Sequence, residues 1–276
     1  WVGAGTFTYG TSTLVMAKSG TQFMYGVNLF DVNNLTINSG STTKIETIND
    51  SGGELQIHGT LTATGTLTSG TVAGNSKIAM QTGGTTIAVG SAANSLSGLY
   101  SVELEHSSGT TTLPTCTLKR LMCKTSGLTA LANGDLTLTE ELQVDSGVTF
   151  NANGNTISCA FLDVAAGGTV DLRNSTYTGR TGGSFNRFDF FHCDSTSSLL
   201  TGNTTITGTT SPLTQGFFPS GANLEIVGDM SNIQVMDDGD ITVVGSVTNC
   251  TLEESTGAIR QWHHTLDTQQ LLDADE

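Results

Sequence analysis

The sequence predicts an all-β protein, folded as an elongated β-solenoid of parallel β-helix-like coils. The main observation is that short triplets with alternating apolar and polar residues recur along the chain. Leu35-Thr36-Ile37 returns as Leu55-Gln56-Ile57, and Leu142-Gln143-Val144 returns at the same interval as Leu162-Asp163-Val164. Such triplets are typical of short strands, and periods of about 20 residues are typical of solenoid coils. A β-sandwich or jelly roll, whose strands also recur between turn signals, is the alternative.

Other triplets predict coils of unequal length. The interval from Val148-Thr149-Phe150 to Val170-Asp171-Leu172 is slightly longer than the first two intervals, whereas that from Leu224-Glu225-Ile226 to Ile241-Thr242-Val243 is shorter. Small-residue pairs mark the expected turns. These pairs are Ser39-Gly40, Ser69-Gly70, Ser108-Gly109, Ser146-Gly147, Gly167-Gly168 and Gly182-Gly183.

Composition supports the β assignment and argues against two classes of partner. The 276 residues include 34 Gly but 3 Pro and are only 13% charged, which disfavours disorder and exposed helices. The net charge is -15, and among the cations only Lys119, Arg120 and Lys124 lie close together. Nucleic acids and anionic membranes both require clustered cations, so we expect neither as a partner. No apolar run approaches the roughly 20 residues that span a bilayer.

The cysteines predict the redox state of the thiols, and the first residue bears on how the chain is processed. Five cysteines at irregular spacing predict small buried thiols and no disulfide framework. They are Cys116, Cys123, Cys159, Cys193 and Cys250. The sequence begins at Trp1 with no apolar leader, from which we expect no signal peptide and a processed or truncated piece of a longer protein.

The pattern predicts three segments. Residues 1–33 are aromatic and Gly/Thr-rich and are expected to cap the stack, residues 34–252 to form the solenoid body, and residues 253–276 an acidic tail. Ile259, Trp262 and Leu266 lie at helical spacing, which predicts a short amphipathic helix in the tail. Such a helix would cap the last coil or dock on a partner, because exposed strand edges recruit other chains.

A dense aromatic and basic cluster lies between residues 179 and 195. It predicts a loop, a subunit contact or a ligand surface, with ordinary core packing as the alternative. The predicted partner-binding residues, from this cluster and from the tail, are Phe185, Phe188, Phe190, Phe191, Trp262 and Leu266.

Candidate chemistry is weak throughout the sequence. Asp237-Asp238-Gly239-Asp240 resembles an acidic turn more than the paired acids of a glycosidase. His263, His264 and Asp267 could ligate a cation from one helical turn, but a solvated tail fits them better. No nucleophile elbow or phosphate-binding loop occurs. We therefore predict no enzyme activity, no catalytic residue, no cofactor and no metal site.

Threonines alternate along a segment that we predict to be one strand. The members of this row are Thr60, Thr62, Thr64, Thr66 and Thr68. Flat arrays of such rows occur in ice-binding solenoids, but one row is not an array. The preference of Thr for strands explains the row, with Leu61 and Leu67 expected to face inward.

Two stretches resemble known repeats. The stretch from Gly5 to Met16, reading GTFTYGTSTLVM, and the stretch from Phe30 to Gly40, reading FDVNNLTINSG, resemble repeats of large structural proteins of tailed bacteriophages and of bacterial surface adhesins. The resemblance is close from Trp1 to about Gly70 and continues loosely to Leu172. It implies β-rich, often multimeric virion or cell-surface parts, and it brings no catalytic residues.

These observations together predict a structural virion protein of a tailed bacteriophage, as a capsid decoration, fibre or tail-associated protein. Its expected partners are its own copies, as a homotrimer that hides strand edges, and capsid or tail proteins, with a host-surface glycan as a further possibility. The expected location is the virus particle, assembled in the host cytoplasm. A bacterial surface or secreted adhesin and a glycan-cleaving tailspike are the alternatives.

Overall fold

A computed structural model confirms the all-β solenoid. It describes residues 10–26, 29–47, 54–70, 76–89, 95–179, 189–193, 198–208, 214–217, 223–236, 240–253 and 259–262. These ranges contain strands and turns but no helix. Neighbouring strands in the described ladders run parallel, as between β-strands Asn34–Ile37 and Leu61–Ala63. The sandwich and jelly-roll alternative is wrong, because those folds pair their strands antiparallel.

The chain divides into two compact units, Trp1–Leu138 and Thr139–Glu276. The strands of the first unit are β1 (Thr13–Met16), β2 (Gly20–Gly26), β3 (Leu29–Val32), β4 (Asn34–Ile37), β5 (Ser41–Thr47), β6 (Glu54–Ile57), β7 (Leu61–Ala63), β8 (Thr66–Ser69), β9 (Lys77–Met80), β10 (Ile87–Val89), β11 (Ser101–Leu104), β12 (Gly109–Leu113), β13 (Cys116–Cys123) and β14 (Leu128–Ala132). β15 (Leu136–Val144) contains the boundary between the units.

The strands of the second unit are β16 (Thr149–Asn151), β17 (Thr156–Val164), β18 (Thr169–Asp171), β19 (Thr176–Gly179), β20 (Asp189–Cys193), β21 (Ser198–Leu200), β22 (Thr204–Thr207), β23 (Thr214–Phe217), β24 (Asn223–Ser231), β25 (Ile233–Met236), β26 (Asp240–Val244), β27 (Val247–Thr248), β28 (Thr251–Glu253) and β29 (Ile259–Trp262).

Three parallel ladders form the first unit. The first runs β1-β4-β7-β10 and continues through a bridge between Thr86 and Thr112 to β12 and β14. The second runs β2-β5-β8, and the third runs β3-β6-β9-β11-β13. From β1 to β9 successive strands belong to the three ladders in turn, so each of these coils contributes one strand to each ladder. From β10 to β14 the strands alternate between the first and third ladders.

The core of the first unit consists of aliphatic side chains stacked from coil to coil. Leu55, Ile78, Val102 and Leu121 occupy the same register position of the third ladder and are all buried. Alternation within each strand places every second side chain inward, so stacking in register turns short apolar triplets into continuous columns. Leu61 and Leu67 face inward, as the sequence predicts.

The second unit repeats this arrangement with longer, bent strands. β16-β18-β21 form one ladder, while β17 bends and pairs with β19 through its first half and with β20 through its second. β24 bends likewise, pairing with β26 through its first half and with β22 and β27 through its second. One buried core column contains Ile157, Tyr177, Ile206 and Met230.

Left-handed residues turn the chain at the corners. Gly109, Gly127, Gly147 and Gly167 have positive φ at or shortly before the starts of β12, β14, β16 and β18. A side chain at Gly127 would lie 2.6 Å from the Ser107 carbonyl oxygen, so only Gly fits both the dihedral and the space. Asparagines take this role elsewhere, because Asn tolerates the left-handed region best after Gly. They are Asn153, Asn174, Asn203, Asn232 and Asn249.

The observed register corrects two of the predicted repeats. Leu35 lies opposite Leu61 of the next coil, and Leu55 belongs to another ladder, where it lies opposite Phe30. Val170 lies opposite Phe150 and not Val148, a shift that keeps the same face inward. The other two repeats are confirmed, by the Leu224–Ile241 pairing and by the 2.9 Å hydrogen bond from Ala165 N–H to the Val144 carbonyl.

The threonine row also follows the coil. Thr62 lies in β7 and Thr66 and Thr68 lie in β8, with a corner at Thr64 and Gly65 between them. The row therefore spans two ladders, and its assignment to a single strand is wrong.

The predicted terminal segments are only partly described. β1, β2 and β3 lie within residues 1–33 and pair with β4, β5 and β6. In the tail, β29 is a strand that pairs in parallel with β26, so the helix predicted from Ile259, Trp262 and Leu266 is wrong for residues 259–262. Backbone pairing along the edge of β26 outweighs a helical spacing of so few apolar residues. Residues 263–276 lie outside the described ranges.

The cysteines described with their side chains are free thiols. Cys116, Cys123 and Cys159 are buried, and Cys250 is half-buried. Burial raises the pKa of Cys116 and of Cys159 to about 12, although hydrogen bonds to the sulfur partly offset the rise for Cys159. Burial also raises the pKa of Cys250.

Because thiolates are the reactive form, thiol labelling of the folded protein should reach Cys250 before Cys116 and Cys159. Iodoacetamide labelling at mildly alkaline pH, read by peptide mass spectrometry, measures this order. The denatured protein, in which all sites should react alike, is the control. Faster labelling of Cys159 than of Cys250 in the folded protein would contradict the burial described above.

Candidate functional site: a charged ladder on the first unit

Charged side chains form a ladder along the outer side of β6, β9, β11 and β13 in the first unit. Glu54 lies directly opposite Lys77 in the register, and Ser101 follows at the next strand. Glu103 alternates with the inward-facing Val102 and Leu104, so it projects outward. The strand order thus brings together acids and bases that are far apart in sequence. We call Glu54, Lys77, Glu103, Lys124 and Glu105 the charged ladder.

Glu103 is the centre of this ladder. Lys77 Nζ lies 3.1 Å from Glu103 Oε2 and 2.9 Å from Glu54 Oε2. Lys124 Nζ pairs closely with the same Glu103 oxygen and lies 3.6 Å from Glu105 Oε1. Ser101 Oγ donates to the other Glu103 oxygen at 2.9 Å. The Glu103 side chain is only 4% exposed, so these partners replace the water that it loses.

The ladder fixes the protonation states of its members. Burial alone would raise the pKa of Glu103, but hydrogen bonds from Lys124, Lys77 and Ser101 outweigh it and lower that pKa. Burial lowers the pKa of Lys77, but its bonds to Glu54 and Glu103 outweigh this effect and raise it. The Glu103 contribution is therefore present above the ordinary carboxyl pKa and lost as pH falls through the lowered value. The Lys77 contribution is present below the ordinary lysine pKa and lost as pH rises through the raised one.

A third cation, Arg120, is also paired within the first unit. The Arg120 guanidinium lies 4.4 Å from the centre of the Tyr100 ring, and its Nη1 donates to Tyr100 Oη at 2.5 Å. Arg120 and Lys124 thus bind acceptors within the first unit. They were two of the three clustered cations that the sequence offered for nucleic acid, and the structure gives them intramolecular partners instead. The ladder as a whole joins neighbouring coils of the first unit.

Replacing Glu103 by Gln should lower the free energy of unfolding by about 1–2 kcal/mol, because two lysines lose their shared anion but keep a hydrogen-bond acceptor. The lysines are nearly one third exposed and can turn to water, which keeps the loss below that of a fully buried pair. Urea denaturation near neutral pH measures the change.

The matched control for Glu103→Gln is Glu225→Gln, the same substitution at an exposed acid of the second unit. It should change stability by less than about 0.5 kcal/mol. Equal losses from the two variants would show that the charged ladder does not hold coils together.

The structure describes some of the predicted partner-binding residues. Phe190 and Phe191 lie in β20, where Phe191 is opposite Leu162 of β17 and Gly216 of β23. Trp262 lies in β29 opposite Val244. β20 and β29 pair with different strands, so the register does not bring these residues side by side. Phe185, Phe188 and Leu266 lie outside the described residues, and their role in binding stays a prediction.

Two further surface features lie in the first unit. Phe23 on β2 is 42% exposed, and Lys44 of the neighbouring strand lies 5.9 Å from the centre of its ring. Val15 on β1 is 50% exposed. They belong to different ladders and so form no common patch in the register. Sequence reasoning placed the aromatics of this segment in a cap but gave no signal for the Phe23–Lys44 contact, which depends on strand register.

Within the described ranges, no three His, Cys, Asp or Glu side chains lie close enough to hold a metal ion. His263, His264 and Asp267 fall outside these ranges. The described part of the chain also contains no helix that could span a lipid bilayer. Comparison of the chain with protein-family models, with curated proteins and with solved structures found no match.

Proposed function

We propose that this chain is a structural protein of a tailed bacteriophage particle, as a capsid decoration, fibre or tail-associated component. The observation that carries the proposal is that consecutive coils are joined both inside and outside. Buried columns such as Leu55–Ile78–Val102 fill the interior, and the charged ladder joins the same coils on the surface. Joined coils resist bending and shear, which suits a load-bearing element. The segment from Trp1 to about Gly70 resembles repeats of phage structural proteins and of bacterial surface adhesins, and this resemblance supports a structural function.

The proposal implies self-association. Solenoid ends and strand edges present unpaired backbone groups, and symmetric assembly is a general way to cover them. We propose a homotrimer. Sedimentation equilibrium of the purified chain should give three times the mass of the 28.6 kDa monomer. A stable monomer at micromolar concentration would contradict the trimer but not the structural function.

The direct test of the function is location. Gradient-purified particles of the phage whose genome encodes the chain should contain it in a fixed copy number, and antibody labelling in the electron microscope should place it on the capsid or the tail. Its absence from purified particles, in cells that express it, would overturn the proposal. Labelling of the surface of uninfected bacteria would favour the adhesin instead. Release of oligosaccharides from host polysaccharide would favour the tailspike.

Docking on the particle is tested separately. Alanine at Phe185 and Phe188 should reduce incorporation into particles without reducing expression, as should removal of residues 263–276, which include Leu266. The matched control is Phe23→Ala, which removes an exposed aromatic of the first unit. Unchanged incorporation of both variants would show that docking uses another surface.

A further inference from the structure

One histidine of the first unit is buried in a hydrogen-bonded chain that joins two coils. His106 follows β11 at the corner that leads into β12 and is 3% exposed. Its Nδ1 lies 2.9 Å from the Ser108 carbonyl oxygen. A carbonyl oxygen only accepts, so Nδ1 carries the hydrogen and donates it. The neutral ring then presents Nε2 as an acceptor.

The hydrogen-bonded chain that begins at His106 continues through the side chains of two threonines. Thr111 Oγ1 lies 2.7 Å from His106 Nε2 and 3.2 Å from Thr85 Oγ1. Because Nε2 accepts, the Thr111 hydroxyl donates to it, and the Thr85 hydroxyl in turn donates to Thr111. Thr85 belongs to the preceding coil, so the hydrogen-bonded chain bridges the coils of β10 and β12. Both threonines are buried, and each hydrogen in this hydrogen-bonded chain has an acceptor while the ring is neutral.

A proton added to Nε2 reverses these bonds. The nitrogen becomes a donor toward Thr111, whose own hydrogen must turn toward Thr85. The Thr85 hydrogen then loses its acceptor in the chain, within a buried site where an unpaired donor is costly. Protonation also places a positive charge at a buried ring. The hydrogen-bonded chain with a neutral His106 ring is therefore the stable form of this corner.

Among the described residues, no acid pairs with the His106 ring. Burial lowers the pKa of His106, and the bond to the Ser108 carbonyl raises it only partly back. The ring's described contacts, from β12 and from the corner itself, are with uncharged groups. The charged residues that flank the corner are already paired: Glu105 accepts from Gln81 at 2.8 Å and lies 3.6 Å from Lys124.

The corner is also tightly packed. A side chain on Gly83, in the preceding coil, would overlap the Ser108 carbonyl oxygen and lie 3.1 Å from His106 Nδ1. The backbone of the preceding coil therefore packs directly against the ring and against the Ser108 carbonyl to which the ring donates. A local change at one nitrogen is in this way coupled to contact between coils.

We propose that His106 is a pH-sensitive latch, which holds the corner between β11 and β12 closed at neutral pH and releases it in mild acid. Since burial lowers the pKa in the folded state, the stabilisation is fully present above the ordinary histidine pKa. It is lost as pH falls through the lowered value. The device works whether or not the chain is a virion protein.

Hydrogen exchange of the whole chain tests the latch. Protection factors, corrected for intrinsic exchange rates, are compared at about pH 7.5 and about pH 5, a range in which histidine titrates and most carboxylates stay ionised. The corner of the wild-type protein, residues 105–113, should lose protection by about tenfold, the factor for one pKa unit of coupling. Residues 149–179 of the second unit should not change.

Two variants complete the test. His106→Gln keeps one donor and one acceptor but does not titrate, so the pH step at the corner should disappear. Thr111→Val removes the acceptor that a protonated Nε2 needs, so the step should move to lower pH, and this variant decides the question if His106→Gln does not fold. His58→Gln, at another corner of the same unit, should leave the step unchanged. A step that persists unchanged in both corner variants, or no step in the wild type, would overturn the latch.

Discussion

Replacing Phe150 by Ala should lower the free energy of unfolding by about 3–5 kcal/mol, the usual cost of removing a fully buried aromatic side chain. Phe150 lies on β16, is 0% exposed and stacks opposite Val170 of the next coil. Backbone pairing of β16 with β18 fixes the spacing of neighbouring coils, so they cannot collapse into the cavity without breaking it. We expect little relaxation and a loss at the upper end of the range.

Urea denaturation followed by circular dichroism measures the loss for Phe150→Ala. The control is Phe161→Ala in β17 of the same unit, which removes an identical side chain from an outward, half-buried position. The Phe161→Ala variant should lose less than about 1.5 kcal/mol of stability, because a half-buried side chain removes less apolar surface from water than a fully buried one. If the two variants lose the same stability, the alternation that separates inward from outward residues is wrong.

Replacing Gly65 by Ala should cost about 3 kcal/mol, the upper range for overpacking, although the change adds a single methyl group. Gly65 forms the corner between β7 and β8. A Cβ there would overlap the Asn38 carbonyl oxygen and lie 2.5 Å from that of Ser41, both in the coil beneath. Backbone atoms cannot rotate away as a flexible side chain can, so the two coils must separate locally.

The matched control for Gly65→Ala is Gly202→Ala. Gly202 also lies at a corner, but its nearest neighbour to an added Cβ is Arg173 Cγ at 3.6 Å, an ordinary contact. Thermal unfolding should show a clear loss for Gly65→Ala and a change within about 1 kcal/mol for Gly202→Ala. Equal behaviour would mean that coils do not approach as closely as described.

The sequence predicts the fold class because the inward positions repeat. Leu55-Gln56-Ile57 and Leu35-Thr36-Ile37 both alternate correctly, and all four aliphatic side chains are buried. It does not predict which triplets stack. The coils from β1 to β9 carry a strand in each of three ladders, so similar triplets recur within one coil as well as between coils. Leu35 and Leu55 are such a case, with strands in the first and third ladders.

Coil length explains which repeats were predicted correctly. Leu224 lies directly opposite Ile241, so the interval between their triplets equals one coil. Leu35 lies opposite Leu61, and the chain forms β5 and β6 before it returns to the first ladder at β7, so the coil is longer than the interval from Leu35 to Leu55. An apolar pattern of period two does not reveal such differences in coil length.

The charged ladder could not be predicted from the sequence. Lys77 and Glu103 are distant in the chain and meet only because β9 and β11 are neighbours in the same ladder. Glu103 sits diagonally from both lysines, so a register error of one residue would place it on the opposite face. The His106 site was missed for a similar reason, since Thr85 lies in the preceding coil and meets Thr111 only where the two coils pair.

The most direct test of the stacked-coil account is a pair of double-cysteine variants. Thr36 lies opposite Thr62 in the observed register, and neighbouring strands are about 4.8 Å apart, within the reach of a disulfide. Thr36→Cys with Thr62→Cys should therefore form an intramolecular disulfide on mild oxidation. Thr36→Cys with Gln56→Cys, the pairing expected if Leu35-Thr36-Ile37 stacked on Leu55-Gln56-Ile57, should not. Cross-linking of the second pair in preference to the first would contradict the solenoid register on which the account depends.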